Sequence, residues 1–172
     1  MIWQTNTETV EEINELIAKL PQSSVVVYTY GAWDLLHPGH ITFLSKAREL
    51  GDFLIVGVVS DKSIKLLKGK DRPAQNQKDR KLVISSLRIV DATINQPEYD
   101  PSDIIVKLKK VNILAKGNDW DYIPGEDTIK KLGGILVKPD YTEGFSTSSL
   151  VSQISGKSHI KSREPGKKEP KP

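Results

Sequence analysis

The sequence contains no cysteine. That excludes a disulfide framework, thiolate catalysis and cysteine-based zinc sites, and it fits a reducing compartment. It also contains no apolar run near the ~20 residues that cross a bilayer. The opening MIWQTNTETVEEI is acidic and amphipathic, unlike a secretory signal. The expectation is a soluble, cytoplasmic protein with no membrane partner. Internal repeats are lacking, and 172 residues suit one ordinary domain with a small extension. A chain of that length buries roughly two-thirds of the surface its unfolded form exposes, so it needs no covalent or metal staple. Excess charge is lacking from most of the molecule too. The formal net charge of +3 arises in residues 158–172, SHIKSREPGKKEPKP, where five Lys/Arg outnumber two acidic residues and leave the remainder neutral. This tail is too poor in apolar residues to build a core and is expected to be disordered, a solubilising terminus and not a nucleic-acid site.

What is present is a regular alternation. TVEEINELIAKL (9–20) places Val10, Ile13, Leu16, Ile17 and Leu20 at helical spacing, with Thr9 and Glu12 as a capping box and Pro21 beyond the end. VVVYTY (25–30) is a continuous apolar run, the mark of a strand covered on both faces. ITFLSKAREL reads as a helix closed by Gly51, and FLIVGVVS (53–60) as a second buried strand. NQKDRKLVISSLRIV follows as a helix capped by Asn76 with Asp79, then ATIN (92–95) as a short strand. PSDIIVKLKK, with Pro101 in its first turn and Asp100 as its cap, precedes the strand NILAKG (112–117). A helix near 125–132 ends at Gly133-Gly134, ILVKP returns to the sheet, and Ser146 caps a final helix through Ile154. Strand–helix alternation of this kind predicts an α/β fold, a Rossmann-like open parallel sheet with helices on both faces. In such sheets a ligand sits beyond the carboxyl ends of the strands, where the strand order switches.

The stretch 31-GAWDLLHPGHITFLSKARELGD-52 lies at that position, directly after the first strand, and holds two of the three histidines, His37 and His40. Either one alone could simply satisfy local backbone groups. As a pair at a helix start they point further. Pro38 and Gly39 suit the turn into the helix, whose unpaired N–H groups and partial positive charge attract phosphate. Two imidazoles there add donors that can follow charge developing on phosphate oxygens. Metal binding is the rival, but no cysteine or carboxylate stands nearby at ligand spacing, so no metal site is expected.

DLLHPGH matches the HxGH signature of the cytidylyltransferase-like nucleotidyltransferase superfamily. Further along, 60-SDKSIKLLKGKDRP-73, 114-LAKGNDW-120, Gly133-Gly134 and 144-GFSTSS-149 resemble, in the same order, segments of D-glycero-β-D-manno-heptose 1-phosphate adenylyltransferases. The resemblance covers about residues 25–155. It implies an N-terminal helix within 1–22, a nucleotidyltransferase domain over 23–157 and the tail from 158. It also implies transfer of a nucleotidyl group from a nucleoside triphosphate, with Mg²⁺, to a phosphorylated small molecule. A homodimer is among the assemblies common in the family.

By this resemblance His37 and His40 contact the triphosphate and stabilise the transition state, and Lys68 neutralises phosphates of donor or acceptor. The backbone of Tyr30, Gly31, Ala32 and Trp33 approaches the nucleotide. Asp34 orients the site or stabilises its turn. Lys116 belongs to the nucleotide set, and Asp119 could accept from a ribose hydroxyl. Arg72 and Arg80 are candidates for the acceptor phosphate, although an exposed ion pair explains Arg80 equally well. Ser146, Thr147 and Ser148 open the last helix as a second anion site.

The pattern departs from the family in two places. Ala32-Trp33 stands where Cys-Phe or Thr-Phe is frequent, so a larger ring is expected to reshape the pocket. In 141-YTEG-144 a tyrosine replaces the arginine that glycerol-3-phosphate cytidylyltransferases carry. The reading is therefore an adenylyltransferase using ATP and a sugar 1-phosphate, heptose 1-phosphate foremost. Its rivals are a CTP-dependent enzyme acting on glycerol 3-phosphate or another polyol phosphate, and an inactive nucleotide-binding regulatory module.

Overall fold

The structure, a computed structural model, describes residues 9–117, 122–140, 147 and 151. Its elements run α1 (Val10–Ala18), β1 (Val26–Gly31), α2 (Pro38–Glu49), β2 (Phe53–Val59), α3 (Asp61–Lys68) and α4 (Gln77–Ser85). They continue with β3 (Ala92–Gln96), α5 (Ser102–Lys107), β4 (Ile113–Ala115), α6 (Glu126–Lys131) and β5 (Ile135–Val137). The five strands are parallel in the order β3-β2-β1-β4-β5. The tail over 158–172 lies outside the described residues, as do Asp119, Ser146 and Ser148. Among the described residues no helix is long and apolar enough to cross a membrane.

Successive residues of a strand point to opposite faces, and here that alternation splits one sheet between two cores. Val26, Tyr28, Tyr30, Phe53, Ile55, Val59 and Leu114 pack with Ile13 and Ile17 of α1, Ile64 of α3, Ile104 and Ile105 of α5, and Ile129 of α6. Val27, Leu54, Val56, Val58 and Ala115 pack instead with Leu44 and Ala47 of α2 and Ile84 of α4. Covered on both sides, β1 and β2 are buried at every residue, which is why they read as unbroken apolar runs. Gly57 is required within β2, because a Cβ there would sit 2.3 Å from the Tyr28 hydroxyl and 2.5 Å from Gln96 Oε1. Those two groups make a buried hydrogen bond of 2.7 Å across it.

The local signals act as expected at several ends. Thr9 and Glu12 form the reciprocal capping box of α1. Asn76 Oδ1 accepts from Asp79 N at the start of α4. The cap of α5 is displaced by one residue: Pro101 takes the cap position, while Asp100 Oδ1 accepts from the N–H and the hydroxyl of Ser102. Two helices differ from expectation. α2 begins at Pro38, three residues earlier, so His40 lies inside its first turn. α4 stops at Ser85, where the hydroxyls of Ser85 and Ser86 both donate back to the Leu82 carbonyl, and Leu87, Ile89 and Val90 pack on the core from a turn.

Candidate active site

Order β3-β2-β1-β4-β5 places the switch between β1 and β4, and the chain leaving β1 there carries the two histidines. Its backbone bends sharply. Trp33 and Leu35 both have positive φ, 53° and 48°, in the left-handed region where a non-glycine residue is uncommon. The bend delivers His37 to the N-cap of α2 in extended conformation, with Pro38 at the first helical position. The His37 side chain makes no capping hydrogen bond. Its ring stacks on that of His40, with centroids 3.8 Å apart and planes 22° apart. The pair is sheltered, and neither Nδ1 has a partner among the described residues.

Burial controls the protonation of both imidazoles. Desolvation lowers the pKa of His37. Desolvation first, then the charges of His37 and Lys68, bring His40 down to about 3 from an ordinary 6.5. At neutral pH both rings are uncharged. Lys68, the last residue of α3, is thereby placed within electrostatic reach of His40.

This predicts an acid-sensitive fold. Above pH 6.5 neither the folded nor the unfolded chain protonates these rings, and their contribution to stability is complete. From 6.5 down towards 3 the unfolded chain binds protons that the folded His40 refuses, so stability falls as pH falls. Urea titrations between pH 7.5 and 4.5 should therefore show a shallower decline in His40→Gln than in the natural protein. Equal slopes would mean that His40 titrates normally.

A second segment closes over the histidine loop from β2. Asp34, 1% exposed, accepts from Ala74 N at 2.9 Å and Gln75 N at 3.0 Å, and pairs with Arg72 at 3.1 Å. Gln75 Oε1 accepts from Leu35 N, and Gln77 Nε2 donates to the Val58 carbonyl. The carboxylate of Asp34 is thus engaged in joining two loops. Of the two readings open to it, stabilising the turn is the one its geometry supports.

Arg80 requires a correction. Expected either at the acceptor phosphate or in an exposed ion pair, it is the largest fully buried side chain, 0% exposed. Its guanidinium donates to the carbonyls of Gln75, Ala32 and Val59 and to Asp61 Oδ1, the last at 2.6 Å. It therefore has no face left for an acceptor. Arg72, by contrast, keeps 16% of its side chain exposed while paired with Asp34.

The Trp33 indole turns inward: it is 6% exposed and its Nε1 donates to the Gly57 carbonyl at 2.9 Å. On the β4 side, Lys116 Nζ donates to the Tyr30 carbonyl at 2.9 Å and lies 4.0 Å from the Tyr30 ring centroid. The Tyr30 hydroxyl is likewise occupied, donating to the Pro124 carbonyl. Lys116 and Tyr30 thus seal the β1–β4 seam beneath the loop. From the far end of the domain, Thr147 Oγ1 donates to the Asp34 carbonyl at 2.9 Å. Thr147 and the histidine loop do meet.

Comparison with known proteins agrees with this fold. Residues 28–151 match the model of the cytidylyltransferase-like family. The chain is 39% identical over 149 residues to bifunctional protein HldE of Campylobacter concisus, covering 86% of this chain and 30% of that protein. It is 43% identical over 148 residues to bifunctional protein HldE of Nitratiruptor sp., covering 84% and 31%. It thus spans about 30% of the length of these curated relatives. Among solved structures, a lipopolysaccharide core biosynthesis protein from Thermoplasma volcanium matches with a TM-score of 0.60 at 29% identity, over 72% of this chain and all of that one. Pantoate-beta-alanine ligase from Francisella tularensis shares the fold alone, with a TM-score of 0.55 at 13% identity, covering 87% of this chain and 76% of that one.

Proposed function

Since the chain belongs to the cytidylyltransferase-like family, we propose that it transfers AMP from ATP to a sugar 1-phosphate, with heptose 1-phosphate as the acceptor. The observation that carries the reading is the stacked, uncharged His37–His40 pair at the start of α2, at the switch point of the sheet. An acceptor phosphate oxygen attacks the α-phosphorus in line. The bond from that oxygen to phosphorus forms, the bond to the β-phosphate bridging oxygen breaks, and pyrophosphate leaves.

No side-chain nucleophile takes part; the protein positions the reactants and stabilises charge. His37 and His40 donate to the triphosphate oxygens as negative charge moves towards the leaving pyrophosphate. Lys68 adds a positive charge on the same side. Thr147, with Ser146 and Ser148, receives the outer phosphates. The backbone of Gly31 and Ala32 borders the nucleotide, Asp119 receives the ribose, and Arg72, 16% of whose side chain is exposed, meets the acceptor phosphate. Mg²⁺ comes with the triphosphate. Bound to phosphate oxygens, it would supply further positive charge there; the Asp34 carboxylate is already engaged by Ala74, Gln75 and Arg72.

Support for adenylyl over cytidylyl transfer comes from the 60–73 segment, from Tyr141 in place of arginine, and from relatives named for HldE and for lipopolysaccharide core biosynthesis. The Asp119-Trp120 pair favours the cytidylyl rival. A wrong base leaves buried polar groups unpaired at about 1–3 kcal/mol each. ATP is therefore expected to exceed CTP at least about tenfold in kcat/KM with the true acceptor. Pyrophosphate release, measured for both triphosphates against phosphorylated sugars and polyols, decides it. Equal use, or preference for CTP, moves the chain to the cytidylyltransferase reading, and no release with any pair leaves the inactive binding module.

A further inference from the structure

A histidine is ordinarily oriented by a hydrogen bond from the ring nitrogen that does not face its substrate. Here neither imidazole has that support at Nδ1 among the described residues. Their planes are held by ring contacts instead, and these form a column. Phe43 and His40 lie one helical turn apart on α2, and both face Trp33. The Phe43 and Trp33 centroids are 6.0 Å apart; the Trp33 and His40 centroids are 5.5 Å apart at 70°, an edge-to-face contact. His37 then stacks on His40.

The indole itself cannot shift. Its Nε1 is bound to the Gly57 carbonyl in the middle of β2, and it lies against Gly31, where a Cβ would come within 3.0 Å of Trp33 Cε2. The backbone that turns it inward is left-handed at φ 53°. Glycine would adopt that turn without cost, so a tryptophan there indicates that the side chain is in use.

We propose that Trp33 is a positioning residue for nucleotidyl transfer: its indole, anchored on β2, sets the plane of His40 and, through the stack, that of His37. The kinetic consequence rests on the function proposed above; the placement of the rings does not. Trp33→Leu keeps apolar bulk but removes the edge-to-face contact. It is expected to lower kcat about 10²-fold while the triphosphate KM changes less than about threefold, since misplaced groups lose the transition state more than the ground state. Trp33→Gly accommodates the left-handed turn and should lose as much; full activity in Trp33→Gly would show that only the turn matters and would overturn the proposal. Trp33→Phe preserves a ring without its anchor and should fall between.

Assays run well below each variant's melting temperature keep folding losses apart. A second readout needs no substrate. Proton NMR titration of the imidazoles, with the third histidine assigned through His159→Gln, should show His40 returning towards an ordinary histidine pKa in Trp33→Leu as water reaches the ring. An unchanged His40 titration, or a Trp33→Leu kcat within threefold of the natural protein, overturns the proposal. If no triphosphate and acceptor pair gives turnover in the natural protein, the function reading fails and the titration alone decides the placement.

Discussion

Alanine at His37 or at His40 is expected to lower kcat by about 10²–10³-fold, the usual loss when one preorganised donor to a developing oxyanion is removed. KM for the triphosphate should move much less. On the proposed reading the imidazoles, uncharged in the free site, strengthen as donors while negative charge builds on the phosphates, so their contribution is concentrated in the transition state. Because the rings touch at 3.8 Å, the double variant should lose less than the product of the two single losses. Steady-state pyrophosphate release measures all three proteins. Near-normal turnover in both single variants would remove the histidines from the chemistry and the phosphates from this helix start.

Arg80→Leu is expected to be the most destabilising of the substitutions considered, at about 3–5 kcal/mol. Leucine fills much of the volume but leaves the carbonyls of Ala32, Val59 and Gln75 without their donor in a place water does not reach, each at about 1–3 kcal/mol. Urea unfolding should show the loss, with a fall in melting temperature of roughly 10–15 °C for a chain of this size. Asp61→Asn is the control. Asp61 is 34% exposed, so weakening its pair with Arg80 should cost under about 1 kcal/mol. An Arg80→Leu protein melting within a few degrees of the original would mean that the three carbonyls are satisfied without the guanidinium.

Arg80 also marks the limit of what the residues disclose by themselves. A charged residue inside an amphipathic helix reads as solvent-facing, and its four partners come from two loops, the end of β2 and the start of α3, which sequence periodicity does not connect. Trp33 was opaque for the same reason, since its partner Gly57 lies on another strand. The strands were legible because burial on both faces removes polar residues from them, and α1 because its capping box is entirely local. Helix α3 had been read only as a motif segment. Ser60 caps it, but Ser63 and Ile64 are its buried residues and Leu66 is 79% exposed, so little apolar stripe is visible. The histidine pair was legible because its partner in function is the helix start beside it. The orientation of its rings was not, because that depends on β2.

The strand order also shapes how the molecule assembles. Joining β1 to β2 closes a loop of 27 residues between Val25 and Asp52, whereas joining it to β4 closes one of 86 between Val26 and Asn112. Loop entropy alone makes the second closure costlier by about 1 kcal/mol, and parallel pairing offers no hairpin to shorten the search. The half bearing β1, β2 and the histidines therefore has the kinetic advantage, and β4 docks against a preformed edge. Only with that docking does the lysine at 116 reach the Tyr30 carbonyl. The β1–β4 seam is thus a late product of folding, and a chain halted before it would carry both imidazoles beside an open strand edge.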